Sequence, residues 1–225
     1  FYNNTTVRIC MDVLVLMIIV VCVGIYFSRR SQKSNNSNSD DSGATSIDEV
    51  GEAVVAGSID SSIHFLKLNE LIEHKESAQR GEIHIKIILE MVSFMLHIVS
   101  RTLLVQTSIS QRSTYVDLIA EWTLLELIKK MGFNSEPSMN DFRELFYTRI
   151  NQRESAFSEA KEVFAEDPYA QNGIINLATL DLLNVIFPKA DGEMDLLKYP
   201  SVSNELVEKF KIIHTLASNV RKIAV

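Results

Sequence analysis

Residues 82–106 hold Ile83, Ile85, Ile87, Ile88, Leu89, Met91, Val92, Phe94, Met95, Leu96, Ile98, Val99, Leu103 and Leu104. At about 100° per residue these side chains cover most of a helix's circumference. Lys86, Glu90, Ser93, His97, Ser100 and Arg101 collect instead within an arc of about 100°. A helix that is apolar on three sides cannot sit on a protein surface. It must be packed round by other helices, so the stretch predicts the centre of a bundle. Crossing a bilayer would bring Glu90, His97 and Arg101 to hydrocarbon depth, where ionisable groups are costly.

The rest of the chain offers the surrounding helices. Gly51 and Gly57 predict a short or frayed helix over 47–57. Ile59, Ile63, Leu66, Leu71 and Ile72 then mark one face of a helix reaching about residue 77, with Ser58 and Asp60 as candidate caps and Gly81 closing the connection. Over 113–131, Tyr115, Leu118, Ile119, Trp122, Leu125 and Ile128 predict a buried face. Lys129 and Lys130 suit that helix's terminal carbonyls, Gly132 suits a left-handed residue, and Phe133 can fold back on Ile128. Pro137 bars easy continuation.

Ser138-Met-Asn-Asp141 resembles a capping box for a helix carrying Phe142, Leu145, Phe146, Ile150, Phe157, Ala160, Val163 and Phe164 to Ala165, with a kink or break at the polar run 151–154. Asp167-Pro168 reads as N-cap and first residue of the next helix. That helix carries Ile174, Ile175, Leu177, Leu180, Leu183, Val185 and Ile186, and Pro188 ends it. A loop over 189–200 leads to a last amphipathic helix with Val202, Leu206, Phe210, Ile213, Leu216, Val220 and Ile223. No period-2 strand and no fixed-period repeat stands out. Residues 47–225 are therefore expected to form an all-α domain, a compact bundle of about six mostly antiparallel helices.

Ahead of this domain lies a second apolar run, residues 9–27, whose nineteen residues would span about 28 Å as a helix, close to a bilayer's hydrocarbon thickness. A cleaved signal peptide would want a basic start and small residues at its end, and bulky Ile25, Tyr26 and Phe27 stand there instead. The expectation is a flank (1–8), a single-pass transmembrane anchor (9–28) and a flexible linker (29–46) rich in Ser and Asn. The first ten residues belong to the expected native chain only if Met11 is not its start. Arg29, Arg30 and Lys33 follow the span while Arg8 alone precedes it, which predicts a domain facing the cytoplasm. As a coil, the linker's ends should lie roughly 20–25 Å apart.

The chain carries 22 basic and 29 acidic residues. From Ala44 onward the balance is 18 against 26, a net charge of −8. Such a surface repels phosphate backbones and anionic headgroups, which argues against nucleic acid as a partner. Cys10 and Cys22 both fall in or beside the apolar run, so the domain has no disulfide, zinc-thiolate or cysteine-nucleophile chemistry. No phosphate loop, nucleophile elbow or dinucleotide fingerprint occurs. Glu70 with His74, and the carboxylates of Asp191-Gly-Glu-Met-Asp195, are weak metal candidates without the spacing of a known site, and no metal or cofactor is expected.

The remaining candidates for chemistry lie on the polar arc. His97 could act as an acid–base group, with Arg101 holding an anion and Glu90 beside them. The competing expectation is that the arc faces solvent or satisfies another helix. Two functions follow: an accessory or protein-interaction module whose partners are the bilayer, through residues 9–27, and a protein at the membrane; or an enzyme or small-ligand sensor built around His97, Arg101 and Glu90. The first predicts exposed apolar surface on the domain, the second a concave pocket.

Overall fold

The computed structural model describes residues 45–68, 76–163, 170–187 and 196–220. The expected anchor over 9–28 and nearly all of the linker lie outside them, as do Glu70, His74, the Asp167-Pro168 cap, Pro188 and residues 191–195. In chain order the described residues form α1 (Ile47–Leu68), α2 (Ser77–Gln106), α3 (Ile109–Met131), α4 (Glu136–Val163), α5 (Ala170–Ile186), a 3-10 turn (Leu196–Lys198) and α6 (Tyr199–Ser218). All belong to one compact unit that begins at Ala44. No strand occurs among the described residues; one isolated bridge joins Thr45 to Val220, with the Thr45 N–H donating to the Asn219 carbonyl at 2.7 Å. The domain's first residues are thus fastened to the end of α6.

The helix that holds the long apolar run is the centre, and it is closed in by neighbours. α2 packs against each of the other five helices. Those five form a ring around it, α1 touching α3, α3 touching α4, α4 touching α5, α5 touching α6 and α6 returning to α1. Every residue from Ile87 to Ser100 is buried. This exceeds the expected three-sided enclosure, because the polar arc is covered as well. Ala78–Gln106 is long and apolar enough to cross a membrane, the one such helix among the described residues, and most of it is buried within the bundle.

The glycines do not interrupt α1, which runs unbroken through Gly51 and Gly57. They allow close approach: a Cβ on Gly51 would lie 2.5 Å from Cε3 of Trp122, and one on Gly57 would lie 3.3 Å from Met95 Sδ. The inner face of α1 combines Val50, Val54, Val55 and Phe65 with Gly51, Gly57, Ser58, Ser61 and Ser62. Ser58 is no cap; its hydroxyl donates to the Val54 carbonyl inside the helix at 2.7 Å, and Asp60 is likewise internal. The true start is Ser46, whose Oγ accepts from the Glu49 N–H at 3.2 Å while Glu49 accepts from the Ser46 N–H at 2.9 Å. This reciprocal capping, with the bridge at Thr45, puts Thr45 and Ser46 within the folded unit.

Similar local chemistry moves other boundaries. α2 begins at Ser77, so Gly81 lies within it instead of ending a connection. α3 starts at Ile109, one turn earlier than expected, because Ser108 and Gln111 form a capping box. Its end is as expected: Gly132 takes a left-handed conformation (φ 71°), and Phe133 N–H reaches the Ile128 carbonyl at 3.2 Å. Ser135, not Ser138, opens α4, its Oγ accepting from the Ser138 N–H at 3.4 Å. Pro137 therefore sits in the first turn, where a missing N–H costs nothing. Pro200 does the same in α6, which begins inside the expected loop.

The buried faces are also turned relative to the expected ones. On α3, Leu118 and Leu125 are half-exposed, while Leu124 and Leu127 are buried beside Tyr115, Ile119 and Ile128. On α4, Leu145 is half-exposed while Phe142, Phe146 and Phe157 are buried. Leu180 on α5 is partly exposed and Leu182 takes an interior place. A helix in a ring meets two neighbours and a centre, which widens its inner face beyond a single stripe.

Candidate functional site

The polar arc of α2 meets α4, and the two helices complete each other. Glu90, 3% exposed, receives Arg153 in a fork, Nε to Oε2 at 2.6 Å and Nη2 to Oε1 at 2.9 Å. Arg149, one turn earlier on α4, also pairs with Glu90 Oε1. Arg153 reaches on to α5, its Nη1 lying 2.6 Å from Asp181 Oδ2 in a close charge contact that is not an aligned hydrogen bond. Burial is the main influence on Asp181 and raises its pKa above the ordinary 3.8, against the opposing pull of Arg153 and Arg149. A carboxylate this deep is tolerable only with such partners.

Two turns along α2, His97 is fully enclosed, and its Nδ1 lies 2.6 Å from Glu154 Oε2. Its other ring nitrogen, Nε2, accepts from Arg101 Nε at 3.2 Å. An ionised carboxylate only accepts and a guanidinium only donates, so the proton sits on Nδ1 and the lone pair on Nε2. Phe157 of α4 covers the ring, with centroids 5.1 Å apart. Burial pushes the Glu154 carboxyl up, but the hydrogen bond from His97 and the influence of His97, Arg101 and Arg112 outweigh it and hold the group below its ordinary 4.5. Ser93 closes on its own helix, donating to the Leu89 carbonyl at 2.7 Å. Lys86 alone points outward, bonded to Glu82 at 2.7 Å.

The structure therefore brings Glu90, His97 and Arg101 onto one seam, but not as a trio around an open site. Glu90 belongs to an arginine–carboxylate network, and His97 with Arg101 to a separate chain ending at Glu154. Arg149, Arg153, Glu154 and Asp181 were missed by sequence reasoning, and residues 151–154 do not break α4. One signal was available: Phe146, Ile150, Arg153 and Phe157 keep helical spacing, which puts an arginine within an apolar stripe. Other histidines serve as links between helices. His84 Nε2 lies 2.7 Å from Ser62 Oγ of α1, and His214 Nδ1 of α6 lies 3.0 Å from Thr102 Oγ1. Among the described residues no group of three or more His, Cys, Asp or Glu could hold a metal ion. No protein-family model matches the chain, and no curated protein or solved structure matches it either.

Proposed function

We propose that the chain is an accessory or protein-interaction module, tethered by residues 9–28 and the following linker at the cytoplasmic face of a membrane, whose bundle meets a membrane-bound or recruited protein. The observation that carries this reading is how the seam is spent. Both nitrogens of His97 are engaged within the bundle, and Glu90 is saturated by two arginines, so the groups that could do acid–base chemistry hold helices together instead. Apolar surface supports the same reading. Val105 is 88% exposed and Ile109 is 72% exposed on either side of the α2–α3 turn. Isolated exposed apolar residues are common, but two this bare flanking one turn support the reading of a contact point there.

The test is photocrosslinking of the full-length protein in its own membrane, beside an anchor-deleted form and the Val105→Asp/Ile109→Asp variant. The reading expects a discrete crosslinked species that both changes diminish. A crosslinking pattern indifferent to both would refute it.

A further inference from the structure

We infer that the half-buried end of the seam, where Arg101 of α2 and Arg112 of α3 come together beside Glu154 of α4, binds a small tetrahedral oxyanion of the phosphate type. Three observations converge there. Arg112 Nε is buried and finds no hydrogen-bond partner among the described residues. Orphaned buried N–H groups are rare in folded proteins, and a charged donor without an acceptor is among the costliest. Arg101 spends Nε on His97 and directs no other hydrogen bond to a described residue, leaving its Nη donors for an acceptor. The charge is also unbalanced: among the described residues the contacts of Arg101, Arg112, Arg149 and Arg153 along the seam are with Glu90, Glu154 and Asp181.

The excess lies at the Arg101–Arg112 end. Glu90 and Asp181 answer Arg149 and Arg153, whereas Glu154 lies within electrostatic reach of both Arg101 and Arg112, and its Oε2 is already given to His97. Two partly buried guanidiniums that repel each other, with one carboxylate in reach of both, offer donors suited to a doubly charged oxyanion. The domain is otherwise acidic, so this is a local concentration of positive charge and not part of a general basic surface. The site does not depend on the interaction reading, and either can fail alone.

Inorganic phosphate is the probe, titrated by calorimetry and by thermal melts into the full-length protein, with chloride at matched ionic strength as the control. The expected result is saturable binding by phosphate beyond the chloride effect. Arg112→Gln and Arg101→Gln should each weaken it by about tenfold or more, as loss of a charge-assisted hydrogen bond implies. Glu154→Gln should tighten it, because the competing negative charge is gone while the amide oxygen can still accept from His97. That opposite sign protects the test against an arginine variant that merely folds poorly. No saturable binding, an Arg112→Gln protein that binds like the wild type, or a Glu154→Gln protein that binds no more tightly would each overturn the assignment.

Discussion

Glu90→Gln tests whether the seam is sealed. Glu90 is 3% exposed and answers two guanidiniums whose side chains are themselves only 30% (Arg149) and 15% (Arg153) exposed. Neutralising it keeps the size of the side chain but leaves Arg149 and Arg153 to share Asp181. Removing one member of a buried ion pair costs about 3–5 kcal/mol. Because the two arginines retain some contact with water, the lower end applies, about 3 kcal/mol. In a domain of this size each kcal/mol moves the melting temperature by about 2–4 °C, so the loss is about 6–12 °C. Urea denaturation of wild type, Glu90→Gln, Arg153→Gln and the double variant closes a cycle. The two single changes should be far from additive, with a coupling of about 1–3 kcal/mol, since both break the same fork. A Glu90→Gln loss below about 0.5 kcal/mol, the range of an ordinary surface substitution, would mean that water reaches the seam and that its burial has been misjudged.

Gly51→Ala should destabilise by about 1–3 kcal/mol, because the new Cβ must displace the ring of Trp122; helix propensity alone would favour alanine by about 1 kcal/mol, so a stabilised protein refutes the close contact. Trp122 is the single tryptophan, and its emission maximum should shift in the same variant. His97→Ala should cost about 2–4 kcal/mol in denaturant, since it opens a cavity under Phe157 and removes a hydrogen bond at each ring nitrogen; unchanged stability would show that the ring is not a structural link. Glu154, with its pKa held below 4.5, adds stability above that value and loses it as pH falls through the lower folded-state value. The stability gap between wild type and Glu154→Gln, measured in phosphate-free buffer, should therefore narrow below about pH 4.5; a gap independent of pH would contradict the pairing.

Much of the architecture was legible in the chain because the central helix leaves little choice. Apolar residues around most of a circumference require neighbours on most sides, and the spacing in the other segments supplied them. The polar arc was legible too, down to its members, but not its fate. Whether Glu90 meets water or an arginine depends on Arg153, which lies 63 positions away in sequence, and no local pattern reports that distance. The same long-range pairing explains half of the apparent break at 151–154: Arg153 and Glu154 are polar because the seam they face is polar, while Asn151 and Gln152 are exposed. α1 was underestimated for a related reason, since glycine and serine suggest a weak helix unless the helix they press against is known. The capping boxes at Ser46 and Ser108 were open to inspection, as each serine is followed three residues later by Glu49 or Gln111.

The sealed α2 also bears on how the chain is made. Taken alone, the segment Ala78–Gln106 has the chemistry of a membrane insert. A chain emerging from the ribosome exposes it before α4 exists to cover the seam, since Arg149 and Arg153 are synthesised some tens of residues later. During that interval Glu90, His97 and Arg101 are unpaired charges or polar groups, and they raise the cost of entering lipid. The residues that later lock the bundle thus first serve to keep its centre out of the bilayer. Replacing all three by leucine would remove that barrier, and an insertion assay on the nascent chain should then register insertion of this segment.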